Sequence, residues 1–560
     1  MENKTISRKF RLLSQLMELH GENSFKVKAV ANAAFKLDKL PFKIADRTEQ
    51  DLSGEQGIGK SVASKVWELL HTGCIQELEA LLAHTPPGIL AMLTIKGLGP
   101  KKILIIWKVL EIETLGELYY ACNENRLIEA KGFGLKTQEE IKTAIEFNMA
   151  SQGLFLYAQT EKIIAAIFNE LQKFLPNERF LFLTGDFRRK LEILTAVEII
   201  TTATAAELLA YIEKNSTLIK YDCEEGKVQA VHETGLPIRF ILSDAKDFFK
   251  NLLITTGSTA HIEQIQTKHG STIPSGESEE AIYRSLGLDF IEPELREGMD
   301  ELQMAAEHRL PNLVTYEDIK GTLHNHSTYS DGVHSLKEMA LYCKNELHLQ
   351  YLGICDHSRT AVYANGLKED RLQQQWEEIE TLNQALHPFR IFKGIESDIL
   401  GNGSLDYSDG ILKQFDFVVA SIHANLKMDE ERATQRLIKA IENPFTTILG
   451  HPTGRLLLSR KGYSIDYKKV IDACAANQVA IEINSNPLRL DLDWRWHRYA
   501  LEKGVYLSIN PDAHRVEGFH DMYYGTLVAR KGGVEASHCL NCFELEKLDR
   551  YFQSKKSNIK

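Results

Sequence analysis

Short apolar runs between residues 351 and 514 each end on a histidine, an aspartate or a glutamate. The runs are YLGICDH, IFKGIE, FDFVVASIH, TTILGH and GVYLSINPDAH. Runs of this length are typical of buried strands, and each one places a polar side chain where its strand ends. Because a βα-barrel builds its active site from the C-terminal ends of its strands, the pattern predicts a barrel with a polar site at one mouth.

The segment GTLHNHSTYSDG, from Gly321 to Gly332, adds further members to this set. On a strand, His324 and His326 point to the same face because they are two residues apart, and Asp331 follows within the next turn of chain. Imidazole mixed with carboxylate suits Zn, Mn or Fe rather than Ca. One such histidine alone would be an ordinary core or loop residue, but their repetition at strand ends predicts a metal centre.

Several segments of this region resemble the PHP (polymerase and histidinol phosphatase) domain: HNHSTYSDG, CDHS, GIESDIL, SIHANL, GHPTGRLL, EINSNPLRLDL and NPDAHR. The resemblance covers about residues 319–540 and implies a distorted (β/α)7 barrel that holds up to three divalent cations. Mn²⁺, Zn²⁺ or Fe²⁺ is implied in preference to Mg²⁺. By this resemblance the metal ligands fall on His324, His326, Asp331, His357, Glu396, His423, His451, Asp512 and His514.

The resemblance also implies roles within this set. Glu396 would bridge two cations, and catalysis would rest on Glu396, Asp512 and His326. His324 would join His326 and Asp512 in one site. Asp331, His357 and His514 would form a further site. His423 and His451 would fill the remaining ligand positions.

Residues beside the ligands are candidates for supporting roles. Asp356 stands next to His357 and could orient it from behind. Three arginines that follow ligand-bearing or strand-end segments could contact a phosphate or lie on the surface: Arg455, Arg489 and Arg515.

Residues 1–150 show short helical patterns joined by glycine turns of one repeated design. Glycine permits a tight turn, and successive N–H groups at a helix start form a phosphate site. Any one Gly-x-Gly is usually only a turn, whereas three in one helical region resemble helix-hairpin-helix motifs, which hold a DNA backbone without reading sequence. The candidate DNA-binding residues are Gly57, Gly59, Lys60, Gly97, Gly99, Lys101, Gly132, Gly134 and Lys136.

The segments LMELHGENSFKVKAVANAAFKL and GIGKSVASKVWELL resemble the N-terminal domain of family X DNA polymerases. In some members of that family a lysine there forms a Schiff base and removes a 5′-deoxyribose phosphate, and Lys65 falls on this position. A Schiff base needs an amine of depressed pKa, which the sequence does not show. The alternative is a solvated or phosphate-contacting lysine.

Residues 151–245 resemble the polymerase palm of that family, and residues 246–315 resemble its thumb. The family pattern is Gly-Ser, two arginines, and two aspartates one residue apart. Here Asp186 replaces the serine, Arg189 is kept, and the aspartate positions fall on Ala196 and Glu198. Two-metal phosphoryl transfer needs carboxylates to hold the ions. The departures predict a polymerase fold without polymerase activity.

Composition limits the partners and the compartment. The net charge of −11 argues against a bulk electrostatic grip on nucleic acid but permits local contact through backbone amides. No run approaches the roughly 18 apolar residues of a membrane span, and the N-terminus lacks a signal-peptide pattern. Eight scattered cysteines do not suggest a disulfide framework. These observations predict a cytoplasmic protein without membrane attachment, and the charged end SKKSNIK is predicted to be disordered.

The sequence therefore predicts a multidomain α plus α/β chain. Its regions are a helix-hairpin-helix DNA-binding region (1–150), a palm (151–245), a thumb (246–315) and a PHP barrel (319–560). The predicted function is a monomeric 3′–5′ exonuclease of DNA repair that acts on gapped or 3′-ended DNA. The alternatives are a gap-filling polymerase with an editing barrel, a phosphatase of the histidinol-phosphatase type, and a non-catalytic DNA-binding scaffold.

Overall fold

The computed structural model describes residues 1–95, 97–128, 130, 132–150, 153–224, 226–270 and 272–557. They form two compact units. One comprises Met1–Cys122 and Arg126–Ile145, and the other comprises Asn123–Asn125 and Glu146–Lys560.

The first unit is helical. Along α1 the buried side chains of Phe10, Leu13 and Met17 follow helical spacing, so one face packs on α2. Asn23 begins α2 by accepting a hydrogen bond from the backbone N–H of Phe25. The helices are α1 (Asn3–Leu19), α2 (Ser24–Lys39), α3 (Glu49–Gly54), α4 (Lys60–Thr72), α5 (Gln76–Ala83), α6 (Pro87–Met92), α7 (Pro100–Lys108), α8 (Leu115–Asn123) and α9 (Leu135–Ala150).

The second unit begins with a mixed sheet covered by helices. Ile164, Ile167 and Leu171 of α10 pack against the sheet core. The strand order is β2-β4-β7-β6-β5, in which β4 and β7 are parallel and the other pairs antiparallel. The elements are β1 (Phe155–Leu156), α10 (Tyr157–Phe174), β2 (Leu181–Thr184), α11 (Gly185–Arg188), β3 (Ile193–Leu194), β4 (Val197–Thr201), α12 (Ala205–Lys214), β5 (Leu218–Glu224), β6 (Lys227–His232) and β7 (Pro237–Leu242).

A small helical region with its own apolar core follows. Its helices are α13 (Phe248–Thr256), α14 (Thr259–His269), α15 (Glu279–Ser285) and α16 (Glu301–Ala306). Arg296 is completely buried there and forms an ion pair of 2.5 Å with Glu279. Because an unpaired buried charge is costly, this pair fixes the region's interior.

The rest of the chain forms a nearly closed barrel of seven parallel strands in chain order, β8 to β14. A bridge between Asn325 and Ala513 joins its first and last segments. The predicted fold class is thereby confirmed. The elements are β8 (Gly321–Thr322), α17 (Leu336–Asn345), β9 (Tyr351–Ile354), α18 (Glu369–Leu386), β10 (Arg390–Asp398), α19 (Asp409–Leu412), β11 (Phe417–Ser421), α20 (Glu430–Ile441), β12 (Ile448–Leu449), α21 (Tyr467–Asn477), β13 (Ala480–Asn484), α22 (His497–Glu502), β14 (Leu507–Asn510), α23 (Met522–Lys531) and α24 (Leu545–Ser557).

Helix α24 closes the N-terminal end of the barrel. Phe552 stacks on Phe417, the first residue of β11, with ring centroids 5.0 Å apart, and packs edge-on against Phe392 at 5.2 Å. The helix continues to Ser557, so most of the SKKSNIK segment is helical where disorder was predicted. Packing of α24 on the barrel explains the difference, and residues 558–560 lie outside the described residues.

An ionic cluster joins the barrel to the two regions before it. The ammonium of Lys531, at the end of α23, is fully buried, pairs with Glu297 and donates 3.0 Å to the carbonyl of Arg189. Glu297 also accepts a hydrogen bond from Arg189 Nε at 2.9 Å. Burial lowers the pKa of Lys531, and Glu297 opposes that effect.

No helix among the described residues is long and apolar enough to cross a membrane. The cysteines are all free thiols.

The substitution Lys531→Ala should lower the free energy of unfolding by about 3–5 kcal/mol, because it removes one partner of a largely buried ion pair and leaves the Glu297 carboxylate with Arg189 alone. Urea unfolding measures the loss. Lys503→Ala is the matched control, since its ion pair with Asp472 is solvent-exposed and such pairs contribute little to stability. Equal stability of the two variants would contradict the prediction.

Candidate metal centre

The predicted ligands converge on one mouth of the barrel because every strand ends there. His324 and His326 follow β8, His357 follows β9, and Glu396 lies near the end of β10. His423 follows β11, His451 follows β12, and Asp512 and His514 follow β14. Asp331 lies in the turn after His326. All are buried except His423, whose side chain is 12% exposed.

Glu396 lies at the centre of the cluster. Its Oε1 is 3.0 Å from His451 Nε2, 3.1 Å from His423 Nε2 and 3.3 Å from His324 Nε2. Its Oε2 is 2.9 Å from His357 Nδ1 and 3.7 Å from His326 Nε2. One carboxylate thus faces imidazoles from four different strands.

Two further groupings surround this centre. His326 Nε2 lies 2.9 Å from Asp512 Oδ1, and His324 Nε2 lies 3.6 Å from the same oxygen. On the other side Asp331 faces a second set of imidazoles at 3.4, 3.6 and 3.9 Å, from His514, His357 and His326.

The donor atoms suit metal ions. Three groups have all their ligand atoms within 4.8 Å of one another: His326, Asp331, His357 and His514; His324, His326 and Asp512; and His357, Glu396 and His423. Several buried nitrogens and oxygens in these groups lack a hydrogen-bond partner among the described residues, including His324 Nε2, His326 Nδ1, Asp331 Oδ2 and Glu396 Oε2. Since unpaired buried polar atoms are costly, the cluster fits divalent cations and could hold them.

Electrostatics in the cluster favour charged carboxylates. Burial alone would raise the pKa of Glu396 and of Asp512, but the surrounding imidazoles outweigh it and hold both pKa values well below the ordinary range. Burial, together with His514 and His357, lowers the pKa of His326 to about 3. His326 is therefore neutral and can offer a nitrogen lone pair, as a metal ligand must.

His423 behaves differently from His326. Burial lowers its pKa, but Glu396 and Asp398 together outweigh burial and raise the pKa to about 10. The protonated imidazole balances the carboxylates, and His423 would have to give up that proton to hold a cation.

The supporting residues differ from the sequence-based expectation. Asp356 does not contact its neighbour His357. Its carboxylate instead accepts hydrogen bonds from the backbone N–H of Ser327 at 2.8 Å, from Ser330 Oγ at 2.5 Å and from Gln375 Nε2 at 2.6 Å. Asp356 therefore holds the turn that leads to Asp331.

Two buried carboxylates that the sequence did not single out contact ligands directly. Asp398 lies 2.5 Å from His423 Nδ1, and Glu482 lies 2.7 Å from His324 Nδ1. The available signal was a charged residue inside an otherwise apolar strand, as in AIEIN and GIESD.

The three candidate phosphate-contacting arginines differ in their contacts and burial. Arg455 is held by Asp493 at 2.5 Å and by the carbonyl of Arg489 at 2.9 Å, and Arg489 itself is buried. Arg515, beside His514, is partly exposed.

The chain has relatives along its whole length. The "Helix-hairpin-helix domain" family matches residues 1–75, and the "SAM-like Helix-hairpin-helix tandem" family matches residues 89–146. The "DNA polymerase/3'-5' exonuclease PolX" of Bacillus subtilis (strain 168) is 34% identical over 575 aligned positions, which cover 99% of this chain and 100% of the relative. The chain belongs to the PolX family. The resemblance to family X polymerases that carry a PHP domain is thus confirmed.

The barrel of this PolX chain has relatives of its own. A "Probable phosphatase" of Thermoanaerobacter sp. (strain X514) is 30% identical over 191 residues, 32% of this chain and 75% of that protein. Another, from Caldanaerobacter subterraneus subsp. tengcongensis, is 34% identical over 146 residues, 24% of this chain and 55% of that protein. These relatives match the C-terminal part of the chain alone.

The residues predicted to form a degenerate polymerase site lie in the palm-like region of this PolX chain. Ala196 is buried just before β4, and Glu198 lies 3.5 Å from Arg239. Asp186 is paired with Arg189 at 2.5 Å. Arg189 also contacts Glu297 in the ionic cluster described above, so both the acid and the arginine have partners within the chain.

The three glycine turns share one construction. Each turn's central apolar residue is buried, namely Ile58, Leu98 and Phe133. The N–H of each donates to the carbonyl three residues earlier, at 3.0, 3.1 and 3.2 Å. A helix begins directly after each turn, at Lys60, Pro100 or Leu135. Because these apolar residues point into the core, the flanking glycines and the first residues of each helix face outward.

Lys65 lies on α4, beside the first of these turns. Its Nζ pairs with Glu77 at 3.2 Å and lies 3.4 Å from Ser61 Oγ. A cavity of about 430 Å³ is lined there by Lys26, Phe35, Lys36, Gly57, Gly59 and Lys65.

Removal of divalent cations should lower the thermal stability of this PolX chain, because the carboxylates and imidazoles lose their common partner. Mn²⁺ at about 100 times its dissociation constant should restore about 2.7 kcal/mol. Differential scanning calorimetry of the chelator-treated protein, with and without added Mn²⁺, measures the effect. An unchanged melting temperature would count against a metal centre.

Proposed function

We propose that this chain is a metal-dependent phosphodiesterase that degrades DNA from its 3′ ends, a 3′–5′ exonuclease of DNA repair. The observation that carries the proposal is the convergence of every predicted ligand on one barrel mouth, with Glu396 in contact with five imidazoles. The name of the Bacillus subtilis relative includes the same activity.

The ligands would hold up to three cations, Mn²⁺, Zn²⁺ or Fe²⁺ in preference to Mg²⁺. One site would use His324, His326 and Asp512. The other residues would serve two sites around Glu396 and Asp331: His357, His423, His451 and His514. When bound, such cations polarise a phosphate ester, lower the pKa of a water molecule and stabilise the leaving oxygen.

The protein's own groups would prepare the site for this chemistry. The low pKa of His326 keeps its ring neutral. Glu396 and Asp512 remain charged and fix the ligands around them. Burial of the cluster excludes bulk water, and His423 marks the more open side. Arg515 would meet a phosphate of the substrate at that side.

We assign DNA rather than a small ester as the substrate because of the first unit. Its helix starts present N–H groups to a phosphate backbone without reading bases. The lysines of the 430 Å³ cavity would add local positive charge in an acidic chain. Gapped and 3′-ended DNA would be the substrates, the protein would act as a monomer in the cytoplasm, and binding would be independent of sequence.

The palm would be a scaffold without polymerase activity. Glu198 is the one acid at the two aspartate positions, and it pairs with Arg239. Asp186 would repel an incoming triphosphate. The Nζ of Lys65, which a Schiff base would need, is already engaged by Glu77 at 3.2 Å. We therefore assign Lys65 to phosphate contact rather than lyase chemistry.

The second candidate is hydrolysis of a small phosphomonoester by the barrel. The specific observation in its favour is the match of the barrel alone to proteins named probable phosphatases. That function would leave the first unit without a role in catalysis.

A 5′-labelled primer on a template, incubated with the purified chain and Mn²⁺, should be shortened from its 3′ end. With all four deoxynucleoside triphosphates present it should not be extended. Denaturing gel electrophoresis resolves the two reactions. Extension would overturn the assignment of the palm, and release of inorganic phosphate from small monoesters without any shortening would favour the second candidate.

The substitution His326→Ala should abolish degradation while DNA binding is kept, because His326 lies in two of the three ligand groups. The loss should exceed the roughly 10–100-fold effect of an outer-shell partner. His261→Ala is the matched control, since His261 is equally buried but lies in the thumb-like region. Degradation rates and gel-shift affinities of both variants measure the outcome, and full activity of His326→Ala would contradict the proposed centre.

A further inference from the structure

A buried glutamate at the centre of the barrel lies outside every predicted ligand group. Glu482 occupies the middle of β13 and is completely buried. Its neighbours Ile481 and Ile483 point to the opposite face of the strand, so Glu482 and Asn484 face the barrel interior. A charge in this position needs full compensation from its surroundings.

Every partner of the Glu482 carboxylate is a hydrogen-bond donor. Oε1 accepts from His324 Nδ1 at 2.7 Å and from Asn510 Nδ2 at 3.1 Å. Oε2 accepts from the backbone N–H of His451 at 2.8 Å and lies 3.5 Å from Asn484 Nδ2. A carboxylate can accept all of these bonds, whereas an amide would place an NH₂ group against two donors.

The orientation of both asparagines is fixed by other contacts. Asn510 Oδ1 accepts from the backbone N–H of Leu323, which leaves its NH₂ group for Glu482. Asn484 Oδ1 accepts from the N–H of Asn486, and its NH₂ group donates to Asp512 Oδ2 at 3.1 Å. The inward side of β13 therefore contacts three of the predicted metal ligands: His324, His451 and Asp512.

The contact with His451 supports an unusual backbone conformation. His451 has φ of +22°, a region that residues other than glycine rarely adopt. Such conformations persist where the surrounding structure determines them and are frequent at functional sites. The bond from the N–H of His451 to Glu482 helps to hold this backbone, together with the bond from the N–H of Gly454 to the carbonyl of His451 at 3.0 Å.

We propose that Glu482 is a positioning residue for the metal centre, an inference that rests on the proposed metal-dependent function. By accepting from Nδ1, it fixes the tautomer of His324 with the hydrogen on that nitrogen. Nε2 of His324 then presents its lone pair towards Asp512 and Glu396. By accepting from the N–H of His451, it sets the position of a second imidazole from another strand.

The test is Mn²⁺ binding to the full chain with Glu482→Gln, measured by electron paramagnetic resonance of free Mn²⁺. Outer-shell partners of this kind change metal affinity by about 10–100-fold, and we expect a loss of that size. Glu279→Gln is the matched control. It also removes a buried carboxylate, one paired with Arg188 and Arg296, and should leave Mn²⁺ affinity unchanged.

Two further measurements separate positioning from general destabilisation. In a double-mutant cycle, Glu482→Gln should lower affinity less once His324 is alanine, because only the contact with the N–H of His451 then remains. In ¹⁵N-histidine spectra of the metal-free protein, the Nδ1–H signal of His324 is the one that disappears in His324→Ala. The chemical shift of that signal should change in Glu482→Gln.

The outcomes for the inference and for the proposed function are distinct. If the unsubstituted chain binds none of Mn²⁺, Zn²⁺ and Fe²⁺, the proposed function is wrong. If it binds Mn²⁺ and Glu482→Gln binds it equally well, the positioning role is overturned and the function stands. Should Glu482→Gln fail to fold, Glu482→Asp keeps the charge but withdraws the carboxylate by one methylene. Undiminished affinity in Glu482→Asp would equally overturn the inference.

Discussion

The barrel depends on one interaction, the contact of the Glu396 carboxylate with imidazoles that arrive from several strands. In a low-dielectric interior these groups cannot be satisfied by hydrogen bonds alone, as the unpaired nitrogens and oxygens around Glu396 show. Divalent cations held by the three ligand groups could satisfy them. The capacity of the site for cations and the closure of the barrel both depend on the same strand ends.

Much of this arrangement was predictable from the sequence because parallel strands end at a common edge. A histidine or acid after an apolar run can be placed at that edge without knowledge of the fold's details, which is why His357, His423 and His451 could be grouped in advance. Glu482 and Asp398 could not be grouped in this way. Their importance depends on which donor meets them across the barrel, and His324 lies 158 positions from Glu482 in the chain. Asp356 shows the same difficulty. Its position next to His357 in the sequence suggested a contact between the two, but its carboxylate accepts hydrogen bonds from the turn at Ser327 instead.

The palm-like region shows how a residue predicted to belong to a degenerate polymerase site can have a structural role. Arg189 contacts Asp186, Glu297 and, through its carbonyl, Lys531. The sequence predicted the loss of the catalytic carboxylates. It could not indicate Glu297 and Lys531 as partners of the arginine, because they come from the thumb-like region and from the far end of the barrel domain.

The position of α24 has a consequence for the order in which the domain is completed. Phe552 supplies an aromatic ring to the floor of the barrel, beneath strands that come more than a hundred residues earlier in the chain, such as the one that begins at Phe417. A chain in which all seven strands have paired still exposes that floor until α24 packs on it. The domain is therefore completed by a helix that follows its last strand, and a barrel without α24 would have an open, apolar underside.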